Sequence, residues 1–212
     1  MDKISKKTEM INYNIRKLIN EFLFYNIDGY IIPKNDEFFS ENVRKDRLKL
    51  FTNFSGSAGM AVILKKKNYL FVDGRYTLQA KKQAGKEFTV YEFPNSLPKN
   101  IFKNLVLGFD PNLFTKLQLN YFFGKKLTLK QIEQNLVDKI LKFRSIKNRK
   151  FFSLPDSVSG NNYKSKISVV SKIIKDSGAD YLFISAPEIV AWILNIRGSD
   201  VPFSPIPNCN CI

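Results

Sequence analysis

Residues 50–80 read LFTNFSGSAGMAVILKKKNYLFVDGRYTLQA, an alternation of strand, turn, strand, turn and helix around which the rest of the chain is arranged. Asn53 to Gly59 is rich in small turn formers. Met60 to Leu64 is apolar and β-branched, which predicts a buried strand. Lys65 to Asn68 is a charged turn, and Tyr69 to Val72 a second apolar run of strand length. The spacing predicts two antiparallel strands side by side, the second delivering Asp73, Gly74 and Arg75 to the edge of the sheet. Asp73 is placed to cap the helix expected over Arg75 to Ala84 by accepting from its unpaired N–H groups. Arg75 is a cation at a helix N-terminus, where the dipole does not favour it. That conflict singles out Arg75 as the candidate functional residue.

Working outward, Met10, Ile11, Ile15, Leu18, Ile19, Phe22 and Tyr25 recur at helical spacing, with Thr8 as the expected cap and Glu9 in the first turn. Tyr30 to Ile32 reads as a short strand stopped by Pro33, and Lys34 to Asn42 as a loop. Ser40 is expected to cap a helix over 41–51 in which Val43, Arg47 and Leu50 share a side. Downstream, Gly85 closes the Arg75 helix, Phe88 to Tyr91 and Leu105 to Phe109 are strands, and Leu127 to Leu129 is a last short one. Phe114 to Phe123 is helical, with Leu117 and Tyr121 among its expected buried residues. Strands alternating with helices predict an α/β domain with a mixed sheet.

Residues 1–142 are read as this first domain and 143–152, basic and without apolar periodicity, as a linker. A second unit, 153–212, offers a helix at Tyr163 to Ser177, a strand at Tyr181 to Ile184 and a helix at Pro187 to Asn195 containing Trp192. It is expected to be the truncated start of another α/β domain, with Ile193, Leu194, Val201 and Phe203 lacking partners.

Composition narrows the class. Of 212 residues, 44% are hydrophobic and 25% charged, the balance of a globular chain. No apolar run approaches bilayer length, and no apolar segment follows the charged N-terminus as in a signal peptide. Cys209 and Cys211 are too close for a disulfide framework, and no further Cys or His joins them as zinc ligands. Free thiols and no leader or membrane span predict a cytoplasmic protein. The net charge of +15 permits nucleic-acid contact, but the lysines are scattered and no nucleic-acid motif accompanies them. Gly56-Ser57-Ala58-Gly59 lacks the Lys-Ser/Thr of a P-loop, which leaves it a structural turn. Histidine is absent altogether.

Several elements recur in one order: Tyr30-Ile31-Ile32-Pro33, Asp36, Ser40-Glu41, Arg47, Thr52 to Gly59, Asp73-Gly74-Arg75-Tyr76 with Gln79-Ala80, Pro187-Glu188, and Ala191 to Pro202. In these the chain resembles the N-terminal part of Xaa-Pro aminopeptidases, the aminopeptidase P branch of the creatinase and prolidase group. The resemblance covers nearly the whole chain but not the whole family protein. It departs at Phe38, where the family has a His, and at Leu141, near which the family has a Trp. It implies a ribonuclease-H-like layering in the first domain. It further implies that a complete protein carries a separate catalytic domain with two divalent metals, usually Mn²⁺, held by two Asp, one His and two Glu, and cleaves the bond before a proline. None of those ligand motifs occurs here, so no catalytic or metal-binding residue and no cofactor is assigned to this chain. Arg75 alone carries over, as a substrate-binding residue. Asn195 to Asp200 is expected to serve domain packing.

The functional expectation is therefore an N-terminal portion of a Xaa-Pro aminopeptidase, inactive alone. A non-catalytic peptide- or protein-binding module and a basic nucleic-acid-binding domain are the alternatives. Partners under the first reading are a second copy or a separate catalytic half, with peptide substrate only in a complete enzyme, and neither membrane nor nucleic acid.

Overall fold

The structure is a computed structural model that describes residues 3–39, 43–142, 149–201 and 203–212. It divides into two compact units, Met1–Asp36 with Lys45–Arg144, and Glu37–Arg44 with Ser145–Ile212. The expected cap Ser40 and most of the expected linker, 143–148, lie outside the described residues.

In chain order the first unit comprises α1 (Lys3–Phe24), β1 (Gly29–Pro33), α2 (Arg47–Thr52), β2 (Gly59–Leu64), β3 (Asn68–Asp73), α3 (Thr77–Ala84), β4 (Phe88–Phe93), α4 (Pro98–Ile101), β5 (Val106–Phe109), α5 (Lys116–Phe123), β6 (Thr128–Gln131) and α6 (Leu136–Leu141). The strands form one sheet in the order β4-β3-β2-β1-β5-β6. β1, β2 and β3 run antiparallel, with Ile31 opposite Val62 and Val62 opposite Tyr69, while β3–β4, β1–β5 and β5–β6 are parallel. This is the mixed α/β sheet the sequence predicts.

Successive side chains of a strand point to opposite faces, and here both faces are covered. Tyr30, Ile32, Ala61, Ile63, Leu70 and Val72 pack with Leu18 and Phe22 of α1, Leu48 and Phe51 of α2, Ala80 of α3, and Leu136 and Val137 of α6. Ile31, Met60, Val62 and Phe71 fill the other face with Phe102, Leu107 and Phe123. Burial on both faces explains why these strands read as unbroken apolar runs rather than as alternating ones.

Four local expectations are corrected. α1 already runs from Lys3, so Thr8 is inside the helix and not its cap, and Met10 is exposed. α2 begins at Arg47, capped by Asp46 accepting from the Lys49 N–H; Val43 is outside it, and Leu50 faces solvent while Arg47 is buried. On α5 the buried residue is Phe123; Leu117 and Tyr121 are exposed. A capping box of Thr115 and Gln118 starts this helix, so its inward face is set by Leu119, Phe122 and Phe123. The strand that ends at Asp73 lies inside the sheet, and β4 forms the edge.

The second unit contains β7 (Phe152–Ser153), α7 (Asp156–Ser159), α8 (Tyr163–Asp176), α9 (Pro187–Ile193) and β8 (Ile196–Arg197), with β7 and β8 antiparallel. Tyr181 to Phe183 is not a strand: only Ile184 forms a bridge, to Cys211, and Tyr181, Leu182 and Phe183 are exposed. Among the described residues these have no neighbouring strand to complete a ladder, and backbone pairing rather than composition makes a strand. Ile193 and Val201, expected to lack partners, are buried, whereas Phe203 is fully exposed. The Asn195–Asp200 stretch packs this unit internally. Asn195 Nδ2 donates to Ser159 Oγ and the Asn161 carbonyl, and Asp200 accepts from Arg44, Arg149 N–H and Asn208 N–H. A Cβ on Gly198 would meet the Pro207 backbone at 2.9 Å, so this position requires glycine.

Candidate functional site

β3 ends at Asp73 because Gly74 and Arg75 turn into a single 3-10 turn, Gly74–Tyr76, before α3 begins. Asp73 stays extended and its carboxylate accepts from the Arg75 N–H at 3.0 Å. The same carboxylate accepts from Arg75 Nε at 2.8 Å and from Nη2 at 3.4 Å. Asp73 therefore caps the 3-10 turn and holds the guanidinium, but it does not cap the helix as the sequence predicts: α3 begins only at Thr77, with no side-chain cap. Hydrogen bonds from the Arg75 side chain and backbone depress the Asp73 pKa below the ordinary carboxylate range. Arg75 lies in the 3-10 turn, two positions ahead of α3, so the conflict with a helix dipole that singled it out does not arise as the sequence predicts; its guanidinium is instead neutralised locally by Asp73.

The turn Asn53 to Gly59 lies against this corner. Ser57 Oγ and Tyr76 Oη are 2.9 Å apart, and the Phe54 and Tyr76 rings meet edge to face at 5.9 Å. Gly56 allows that approach: a Cβ there would lie 2.3 Å from the Phe54 ring and 3.0 Å from Tyr76. Arg75 sits over the Tyr76 ring at 5.5 Å. Glu92 of β4 flanks Gly74, where a Cβ would come within 3.0 Å of its carboxylate. Ser55, Gln79 and Gln83 join into a polar cluster that ties the turn to α3. Sequence reasoning missed Ser57, Tyr76 and Glu92 as members of this corner. Gly56 and Gly74 were the available signals, since each marks a close approach.

Arg75 is thus held by Asp73 through its backbone N–H, Nε and Nη2, while its side chain remains 74% exposed. A guanidinium so placed can donate to carbonyl or carboxylate groups. The corner contains no nucleophile–base pair. Nor does the donor chemistry fit a dinuclear metal centre: among the described residues no three His, Cys, Asp or Glu side chains are grouped to hold a metal ion.

The mixed sheet with both faces covered by helices is the architecture of an α/β domain of the creatinase/prolidase N-terminal kind. Residues 15–139 match the creatinase/prolidase N-terminal domain family, and residues 142–212 match a second family of the same description. The chain belongs to the creatinase/prolidase N-terminal domain family. It is 30% identical over 223 aligned residues to Xaa-Pro aminopeptidase 1 of Dictyostelium discoideum, covering 92% of this chain and 35% of that protein. It is 33% identical over 196 residues to Xaa-Pro aminopeptidase ApepP of Drosophila melanogaster, covering 85% of this chain and 32% of the relative. The crystal structure of an X-prolyl aminopeptidase from Caenorhabditis elegans, described as a cytosolic enzyme with a di-nuclear active site, superposes with a TM-score of 0.81 at 25% identity. That match covers 92% of this chain and 36% of the worm enzyme. The chain therefore spans about a third of the length of the curated relatives it matches. No helix among the described residues is long and apolar enough to cross a membrane.

Proposed function

We propose that this chain acts as the N-terminal, non-catalytic part of a Xaa-Pro aminopeptidase, and that Arg75 contacts peptide substrate once a catalytic domain is joined to it. The observation that carries the reading is co-linearity: one alignment with an X-prolyl aminopeptidase structure runs through 92% of this chain. The local geometry supports a contact role for Arg75. Its guanidinium is oriented by Asp73, its side chain is exposed, and it follows directly on the end of an inner strand. In such a complex the metals, usually Mn²⁺, would be held by the catalytic domain and would supply the attacking hydroxide. This chain's own residues would orient the substrate. The cytosolic description of the worm enzyme supports a cytoplasmic location.

The test compares the purified chain with a fusion of it to the catalytic domain of a relative, on a Xaa-Pro peptide with added Mn²⁺. The chain alone is expected to show no turnover and the fusion to show metal-dependent release of the N-terminal residue. Turnover that co-purifies with the chain alone would overturn the reading. A folded, metal-loaded fusion without activity would remove the case for a functional partnership.

A further inference from the structure

We propose that the groove between α1 and α3 docks an acidic peptide segment carrying an apolar residue among its carboxylates. The groove has a volume of about 1150 Å³ and lies wholly within the first unit. Its floor includes Ile11 of α1 and Ala84 of α3, both buried, and its wall includes Leu78, which is 83% exposed. Among the described residues, Lys7, Lys82 and Lys86 line it against a single carboxylate, Glu87.

Local helix electrostatics account for only part of this arrangement. Lys82 lies in the last turn of α3, where a cation is favoured by the dipole. Lys7 comes from a different helix, and Lys86 follows the chain reversal at Gly85. Three cations from separate elements therefore converge on one concave surface with an exposed leucine in it. Charge complementarity selects an acidic occupant, and the apolar floor with Leu78 selects one that carries a hydrophobic side chain. Among the described residues no aromatic ring lines the groove, so it offers none of the stacking platforms of single-stranded nucleic-acid sites. A second copy of the chain, also at +15, is disfavoured by like charge. The groove runs along α3 from Leu78 to Ala84 and on to Glu87, and Arg75 is not among its lining residues, so this proposal does not rest on the aminopeptidase reading.

The probe is a short fluorescein-labelled peptide of sequence EEDLEEE, titrated with the full chain and followed by anisotropy. The combined variant Lys7→Glu, Lys82→Glu, Lys86→Glu is expected to weaken binding by about tenfold or more. The control variant Lys65→Glu, Lys66→Glu, Lys67→Glu makes the same charge change in the exposed β2–β3 turn and should alter binding by less than about twofold. Leu78→Ser is expected to weaken the leucine-bearing peptide but not an all-acidic version of it. All of these positions are exposed, and matching thermal melts verify that each variant is folded. Equal weakening by the groove and control variants would reduce the effect to net charge and overturn the proposal. So would an absence of binding, or displacement of the peptide by oligo-deoxythymidine at lower concentration than by unlabelled peptide.

Discussion

Arg47 and Asp138 join α2 to α6 through two parallel hydrogen bonds, Nε to Oδ1 at 2.7 Å and Nη2 to Oδ2 at 2.8 Å. Arg47 is almost wholly buried and Asp138 about a quarter exposed, with Lys45 also reaching Asp138 at 3.3 Å. Planar, two-point pairing is a geometry that Lys cannot reproduce. Burial alone would raise the Asp138 pKa; the hydrogen bonds and charge of Arg47, aided by Lys45, outweigh it and leave the carboxyl below its ordinary value.

Removing the carboxylate leaves a buried cation without this partner. Asp138→Ala should therefore lower the stability of the first unit by about 3 kcal/mol, the low end for breaking a buried pair because Asp138 retains some solvent. The shift in denaturation midpoint measures it. A depressed folded-state pKa gives stability that is present above the unfolded value, near pH 4, and lost as pH falls through the folded value. Wild-type stability should accordingly decline below about pH 4 more steeply than that of Asp138→Asn. Parallel acid limbs for the two proteins would remove Asp138 from the account of acid unfolding.

This pair also shows which parts of the structure the sequence exposes. The β2–turn–β3 unit is legible because its information is local: apolar runs of strand length, a lysine turn, and Asp73 placed to cap. The Arg47–Asp138 contact spans 91 residues, and nothing near Arg47 announces its partner. The burial expected of Leu117 and Tyr121 fails because α5 turns only one side, with Leu119, Phe122 and Phe123, to the sheet, and apolar residues on several sides of so short a helix do not say which. At the candidate site the sequence marked Arg75 by a dipole conflict. The structure instead puts Arg75 in a 3-10 turn ahead of α3 and binds its guanidinium to Asp73, a side-chain bond whose geometry the sequence does not specify.

Backbone pairing should separate the two apolar runs that both looked like strands. Met60 to Ile63 is paired on both sides, to β1 and β3, and buried. Tyr181 to Phe183 forms no ladder among the described residues and is exposed. Amide exchange in β2 should need global opening of the first unit, while Tyr181, Leu182 and Phe183 should exchange early. Comparable protection of the two segments would show that the Tyr181 run pairs with something in solution.

Lys166 supplies a probe of the second unit. Its Nζ donates to the Trp192 carbonyl at 2.8 Å and to Asn195 Oδ1 at 2.6 Å, and lies 4.5 Å from the Trp192 ring centre. Asn195 sits at φ 51°, a left-handed conformation that Asn tolerates better than most residues. Lys166→Met keeps much of the packing but deprives two acceptors of their donor, for an expected loss of about 1–3 kcal/mol. Trp192 is the only tryptophan in the chain, so its fluorescence follows the unfolding of this unit. An unchanged midpoint would mean that water replaces the ammonium without cost.

Arg75 decides between a structural and a functional corner. Its pair with Asp73 is close in sequence and largely exposed, 74% and 39% for the two side chains. Ion pairs of that kind contribute little, because solvent screens them and both side chains lose freedom in making them. Arg75→Ala should therefore leave the denaturation midpoint of the isolated chain nearly unchanged. In a fusion with a relative's catalytic domain, loss of a charged substrate contact should cost about 1.5–3 kcal/mol in kcat/KM. Arg75→Lys separates charge from shape: a point charge should recover part of the loss, and the remainder would report the directional fork of the guanidinium. Asp73→Asn tests the anchor, since it weakens the hold on Arg75 while leaving the guanidinium present. Its effect on kcat/KM should be smaller than that of Arg75→Ala and in the same direction. A large fall in the midpoint of Arg75→Ala with unchanged kcat/KM would make Arg75 a structural residue, and the corner would then have no role in recognition.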